Sequence, residues 1–237
     1  MKRLFTVLLL VLLGWTMTDT LAQRKAANEQ TQQIVSSRDT TLIEDPKGAL
    51  ANSEGESIFV GRTGQPENGK RRGLIAFDFA GVIPPRSRIL SVTLTMTLNI
   101  SANGDQPSTL NMYRVTRSWK EGTSASEGGR GAEAQAGDPT WIHSVSPNQR
   151  WARPGGDYVK AASARAEVRG QGVYTWNSTP KLVADVQSWV NSPSRNFGWI
   201  LIGDESKAAT AKVFHSSEHA DAATRPQLTV VFRPPAK

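Results

Sequence analysis

Apolar and polar residues alternate with a period of two from position 91 to position 100. The apolar positions are Val92, Leu94, Met96, Leu98 and Ile100, and Ser, Thr or Asn lies between them. This pattern predicts a strand with one face on a hydrophobic core. The run at 74–79 is apolar on both faces, which is typical of a strand buried between two layers. An Ile-Pro-Pro segment at 83–85 joins the two strands, so the pattern indicates an antiparallel sandwich.

Short apolar runs separated by turn residues predict further strands at 39–43, 57–60, 109–115, 173–176, 199–202, 212–215 and 227–232. Thr179-Pro180 is typical of a helix N-cap followed by proline in the first turn. Leu182, Val183, Val186, Trp189 and Val190 follow at helical spacing and predict one short amphipathic helix. The expected fold is an all-β antiparallel sandwich of jelly-roll type with one short helix.

The N-terminal residues have the three parts of a secretory signal peptide. Lys2 and Arg3 precede an apolar run at 4–15, and Thr20-Leu21-Ala22 offers a cleavage site. The apolar run is shorter than the roughly 20 residues of a membrane span. We expect a signal peptide at 1–22, a polar leader or linker at 23–38, a sandwich domain at 39–233 and a tail at 234–237. The protein is then a secreted one, periplasmic or extracellular, of bacterial type.

The charge of the chain is positive, with a formal net value of +7, and there is no cysteine to form a disulfide. Residues 23–237 carry 26 Lys and Arg against 20 Asp and Glu, a net charge of +6. A basic exported protein favours anionic partners such as uronic-acid polysaccharides, lipopolysaccharide or extracellular nucleic acid. The alternative is that the charge serves only solubility. The basic residues are scattered, so we expect no specific nucleic-acid partner and no membrane span.

The segment 120–172 is poor in aliphatic residues and contains the candidate ligand contacts. Trp141, Arg150, Trp151, Arg153 and Tyr158 lie there among polar neighbours. An exposed aromatic ring stacks on the apolar face of a sugar, and an arginine pairs with a carboxylate through two hydrogen bonds. The sequence therefore nominates these five residues for carbohydrate binding. The alternative for the two tryptophans is that they anchor a long loop onto the sandwich.

Catalytic and metal-binding motifs are weak in this chain. The run from His215 to Glu218 and His219 matches the H-x-x-E-H zinc-protease motif, which requires both histidines on one helical face, but it follows a predicted strand. No serine-hydrolase elbow or phosphate-binding loop is present, and nothing pairs the carboxylates for glycoside cleavage. Structural calcium is common in jelly-roll modules, and the oxygen donors near strand ends are Asp39, Asp204, Glu205 and Glu218. No calcium-loop spacing occurs, so we predict no metal, no cofactor and no enzyme activity.

The order of several motifs along the chain resembles that of the DNRLRE-domain family of exported bacterial and archaeal proteins. They are Asp39-Thr40-Thr41, Ile58 to Gly61, Leu74 to Phe79, Ile83-Pro84-Pro85, Ile89 to Leu94, Arg114 to Gly122, Leu182 to Val190, Asn196 to Gly198, His215 to His219 and Arg225 to Val230. The resemblance implies a jelly-roll sandwich and, for some members, carbohydrate binding directed at alginate.

Together these features predict a secreted, non-catalytic module that binds acidic, uronate-type polysaccharide. One alternative is a structural or adhesive surface protein with an envelope protein as partner, which would not bind glycans. A third hypothesis is an enzyme, such as a polysaccharide lyase or a zinc hydrolase.

Overall fold

The computed structural model describes residues 28–236, so the predicted signal peptide lies outside the described residues. Within this range the protein is mostly β, with fifteen strands and one α-helix. The strands are β1 (Gln30–Val35), β2 (Arg38–Ile43), β3 (Leu50–Ala51), β4 (Ser57–Arg62), β5 (Lys70–Ala76), β6 (Arg88–Ser101), β7 (Ser108–Arg114), β8 (Ala132–Glu133), β9 (His143–Val145), β10 (Gln149–Arg150), β11 (Ala164–Val168), β12 (Gly172–Trp176), β13 (Trp199–Ile202), β14 (Lys212–His215) and β15 (Gln227–Arg233). The helix α1 covers Pro180–Asn191.

Eleven strands form one antiparallel sheet that curls into two layers. One layer contains β1, β15, β6, β14 and β12, and the other contains β2, β5, β13, β7 and β11. Strand β4 belongs to both layers, because Ser57–Val60 pairs with β14 and Gly61–Arg62 pairs with β5. Gly61 has a φ of 116°, and a Cβ there would lie 2.9 Å from the carbonyl oxygen of Thr210. Only glycine fits this bend without strain. The predicted all-β antiparallel sandwich is confirmed.

The hydrophobic core lies between the two layers. The alternating strand β6 contributes Val92, Leu94, Met96 and Leu98, all at most 1% exposed. Ile100 breaks the predicted alternation and is 54% exposed, because the pairing of β6 with β14 shifts register just before this residue. Four tryptophans are buried as well, namely Trp119, Trp176, Trp189 and Trp199.

The helix α1 starts where the sequence predicts. The Thr179 hydroxyl accepts a hydrogen bond of 3.0 Å from the Leu182 amide, and Pro180 occupies the first turn. Leu182, Val186 and Trp189 are buried against the sandwich, so packing of one apolar face holds the helix in place. No helix in residues 28–236 is long and apolar enough to cross a membrane.

The boundary predicted at residue 39 is wrong for the described residues. Positions 30–35, expected in a leader or linker, form β1, which pairs with β15 over six residues from Gln30 opposite Phe232 to Val35 opposite Gln227. Ile34 is the only buried residue of β1, so the strand carries no alternating hydrophobic signal. The strand is held in the sheet by its backbone hydrogen bonds to β15.

The middle segment is folded against the sandwich although its sequence shows no periodicity. It contains β8, β9, β10 and β11, and β11 extends the second layer by pairing with β7. The buried carboxylate of Asp138 holds the segment together. Its Oδ1 accepts hydrogen bonds from the Ser53 hydroxyl and the Thr123 amide, and its Oδ2 accepts one from the Gln135 amide.

Candidate functional site

A surface groove of about 850 Å³ lies where the chain leaving β7 meets the loop at 152–160. Its lining residues are Arg72, Thr116, Arg117, Ser118, Ala152, Arg153, Pro154, Gly156, Asp157, Tyr158, Lys160 and Phe197. Four of these are basic and one is acidic. The groove therefore concentrates positive charge at one place on the sandwich.

Backbone pairing positions the two walls of the groove. The Thr116 amide donates to the Asp157 carbonyl over 2.9 Å, and the Val159 amide donates to the Arg114 carbonyl over 2.9 Å. Val115 and Tyr158 form an antiparallel bridge between these bonds. The loop therefore pairs with the chain at the end of β7. This pairing places Tyr158 beside the end of that strand that carries the arginines.

Asp157 organises the loop that carries the groove. Its carboxylate accepts hydrogen bonds from Arg117 Nε (2.6 Å), the Ala152 amide (2.9 Å) and the Arg153 amide (3.1 Å). Burial by itself would raise the pKa of Asp157. The hydrogen bonds and the charge of Arg117 outweigh burial, and the pKa lies below its usual value. Asp157 is therefore ionised at neutral pH, and its charge is balanced by Arg117.

Arg72 forms the floor of the groove. It donates two hydrogen bonds to Glu205, from Nε over 2.7 Å and from Nη2 over 2.9 Å. Its guanidinium also lies 4.8 Å above the Trp141 ring and 5.9 Å from the Tyr158 ring. This arginine is consequently rigid and already neutralised by Glu205.

Arg153 and Lys160 supply the unbalanced charge. Both are exposed, and neither takes part in the ion pairs formed within residues 28–236. With Arg72 and Arg117 balanced, these two side chains leave two positive charges at the groove. The half-buried rings of Tyr158 and Phe197 add apolar surface next to them. Such an arrangement can bind a carboxylate or another anion attached to a partly apolar ring.

The five residues nominated from the sequence separate into three groups. Arg153 and Tyr158 line the groove. Arg150 is exposed but lies in β10, outside the groove lining. Trp141 and Trp151 are only 7% and 5% exposed, so the prediction that they contact a sugar is wrong. Their rings pack in a hydrophobic cluster beneath the loop, and Trp151 Nε1 donates to the Thr140 carbonyl over 2.9 Å. The alternative, that they anchor the loop, fits this packing.

Several residues of the groove are not among the five that the sequence nominates. Arg117 and Lys160 are two of them, because only their positions in space bring them to the groove. A partial signal exists for Arg117, which lies in the arginine- and tryptophan-containing stretch 114–119 that follows a predicted strand. Arg72 and Phe197 come from distant parts of the chain, and no spacing rule links them to Arg153.

The zinc-like histidine motif does not have zinc-site geometry. His215 ends β14, and the imidazoles of His215 and His219 stack in parallel with their centroids 3.6 Å apart. Both Nδ1 atoms face the Thr224 hydroxyl, at 2.7 Å and 3.1 Å. The two rings therefore do not converge on a single ion from one helical face, as the motif requires.

The fold and the site together define an all-β, sandwich-like protein with a basic surface groove. Comparison with known proteins adds no relative, since no protein-family model and no curated protein matches the chain. The likeness to the DNRLRE-domain family thus stays a prediction from the motifs.

Proposed function

We propose that this protein is an exported, non-catalytic polysaccharide-binding module whose ligand is an acidic, uronate-type glycan. The observation that carries the proposal is the groove in which Arg153 and Lys160 lie beside the rings of Tyr158 and Phe197. Anionic sugars fit both the cations and the aromatic rings of that groove. Their carboxylates pair with the cations, and their ring faces contact the aromatic side chains. The resemblance to DNRLRE-domain proteins supports the choice of a glycan over other anions.

The test is affinity electrophoresis and calorimetry with alginate oligosaccharides and a neutral glucan at two salt concentrations. We expect retention on the uronate polymer only, weaker at high salt because screening acts on exposed charges. Replacing both Arg153 and Lys160 with alanine removes two exposed cations and is expected to weaken binding about 5- to 10-fold.

The matched control is Arg150→Ala, which removes another exposed arginine outside the groove lining. It should bind like the unchanged protein. Retention on no acidic glycan would overturn the proposal. Equal losses in Arg150→Ala and in the double variant would overturn the placement of the site and leave only a general effect of charge.

A second candidate function is that of a structural or adhesive envelope protein, and one observation favours it. On the outer face of the sheet, Val173 of β12 lies opposite Thr97 of β6, and Val35 of β1 lies opposite Gln227 of β15. Val173 is 67% exposed and Val35 is 42% exposed, so both valines are available to contact a partner. This function predicts no retention on any glycan. It also predicts co-purification with an envelope protein, which Val173→Lys should abolish.

A further inference from the structure

The outer face of β7 continues the surface of the groove. Leu110 and Met112 of this strand point into the core, so Asn111 and Tyr113, which alternate with them, lie on the outer face. Both outer residues are half-buried. The Tyr113 ring lies beside the Tyr158 ring of the groove, with the two centroids 5.2 Å apart and the planes tilted by 42°. The aromatic surface of the groove therefore extends onto β7.

The chain that leaves the groove leads into β11, which pairs with β7 and places Arg165 opposite Asn111. Arg165 is exposed, and it lies on the outer face because Ala164 and Ala166 on either side of it are buried in the core. Tyr113 is its diagonal neighbour on that face, at a separation that long side chains span. Asn111, Tyr113 and Arg165 thus form one strip, called here the β7–β11 strip.

The β7–β11 strip carries an unbalanced positive charge. Arg165 takes part in none of the ion pairs formed within residues 28–236. Glu167, the next residue on the same face of β11, is paired with Arg169 over 2.8 Å. Burial, and then Tyr158, raise the pKa of Tyr113, whereas the charge of Arg165 acts on the same hydroxyl in the opposite direction. A cation beside an aromatic ring is also the combination found in the groove.

We propose that the β7–β11 strip is a second subsite for the acidic glycan, so that one chain of several uronate residues lies across the groove and the strip. This inference rests on the proposed function. The Tyr113 ring contacts the face of a sugar, Arg165 pairs with a carboxylate, and the Asn111 amide exchanges hydrogen bonds with a hydroxyl. The contact between Tyr113 and Tyr158 makes the two surfaces continuous, and each has its own free cation. A polymer fits them better than a single acidic sugar, which would occupy only one of the two.

The experiment is calorimetry of the whole protein with a uronate disaccharide and a uronate hexasaccharide prepared from alginate. The disaccharide occupies the groove alone, whereas the hexasaccharide reaches both subsites. The hexasaccharide should therefore bind about 10-fold more tightly or more. The readout is the ratio of the two Kd values, because this ratio reports on the second subsite rather than on the groove.

Two variants test the residues of the strip. Arg165→Gln removes the charge of an exposed side chain and should lower the ratio about 2- to 5-fold. Tyr113→Ala removes the ring and should lower it about 5-fold, with thermal unfolding as the check that the variant is folded. The control is Arg88→Gln, which removes an exposed arginine of β6 in the other layer and should leave the ratio unchanged.

The two sites fail in different ways. An unchanged ratio in Arg165→Gln, or an equal fall in Arg88→Gln, would overturn the second subsite while the groove stands. The same conclusion would follow if the unchanged protein bound the disaccharide and the hexasaccharide equally well. Binding of neither oligosaccharide would overturn the proposed function and the second subsite with it.

Discussion

Arg117 and Asp157 form an ion pair across the basic groove, with Arg117 Nε 2.6 Å from Asp157 Oδ2. The same carboxylate accepts hydrogen bonds from the backbone of Ala152 and Arg153. The pair therefore links the end of β7 to the loop that carries Arg153. It also keeps a negative charge inside a groove proposed to bind anions, without letting that charge repel the ligand.

Removing Arg117 alone is expected to weaken uronate binding by more than the removal of Arg153 alone. Arg117→Ala deletes a cation and leaves the Asp157 carboxylate unpaired and facing the ligand. Asp157→Asn in the Arg117→Ala background removes that repulsion and should restore part of the affinity. A double-mutant cycle by calorimetry measures this coupling. Independent, additive effects of the two substitutions would show that the pair does not act on the ligand as a unit.

Asp138→Ala should destabilise the protein by about 3 kcal/mol or more, because the loss of this buried carboxylate leaves several donors unpaired. Those donors are the Ser53 hydroxyl and the backbone amides of Thr123 and Gln135. Urea denaturation measures the change in free energy of unfolding. Glu133→Ala, an exposed acid of β8, is the control and should change it by less than about 0.5 kcal/mol. Equal changes in the two variants would mean that Asp138 does not hold the middle segment.

The fold was predictable where burial of one face gives an element a regular spacing of apolar residues in the sequence. Strand β6 and the helix α1 have one buried face each, so their patterns reveal both their type and their orientation. Strand β1 has a single buried residue, Ile34. Its backbone pairing with β15 requires no particular residue types, so the sequence contains no pattern that predicts the strand. The sequence therefore predicts a linker at these positions.

The candidate site was only partly predictable for a related reason. Residue type identifies Arg153 and Tyr158 as able to bind a glycan, but it does not show whether a side chain is exposed. Trp141 has polar neighbours in sequence, yet in space it lies under Arg72, which comes from β5. The burial of Trp141 depends on contacts between distant segments, and so does the position of Lys160 in the groove lining.

Thr179→Ala should lower the free energy of unfolding by about 1 kcal/mol, the usual cost of losing a helix N-cap. The Thr179 hydroxyl accepts from the Leu182 amide and also contacts the Ser163 carbonyl, which links α1 to the chain before β11. Thr179→Ser keeps the hydroxyl and is expected to retain most of the stability. Chemical denaturation compares the two variants, and a serine variant as unstable as the alanine variant would show that the methyl group, not the cap, is responsible.

Stability is expected to depend on pH through His143, which is 8% exposed and has Nδ1 3.1 Å from the Thr140 hydroxyl. Burial, and then the charge of Arg150, lower the pKa of His143 below its ordinary value of 6.5. The unfolded chain therefore binds the proton more readily than the folded protein does. The contribution of His143 is complete above about pH 6.5 and is lost as the pH falls below that value.

The measurement is the free energy of unfolding of the unchanged protein and of His143→Gln between pH 5 and pH 8. The His143→Gln variant should lose less stability towards pH 5, although the pKa of His215 is also lowered, so some slope should remain. Arg150→Gln removes the second cause and should move the His143 pKa upward, as followed by NMR titration. Parallel stability curves for the unchanged protein and His143→Gln would contradict the assignment, because a buried imidazole that resists protonation must contribute to the slope.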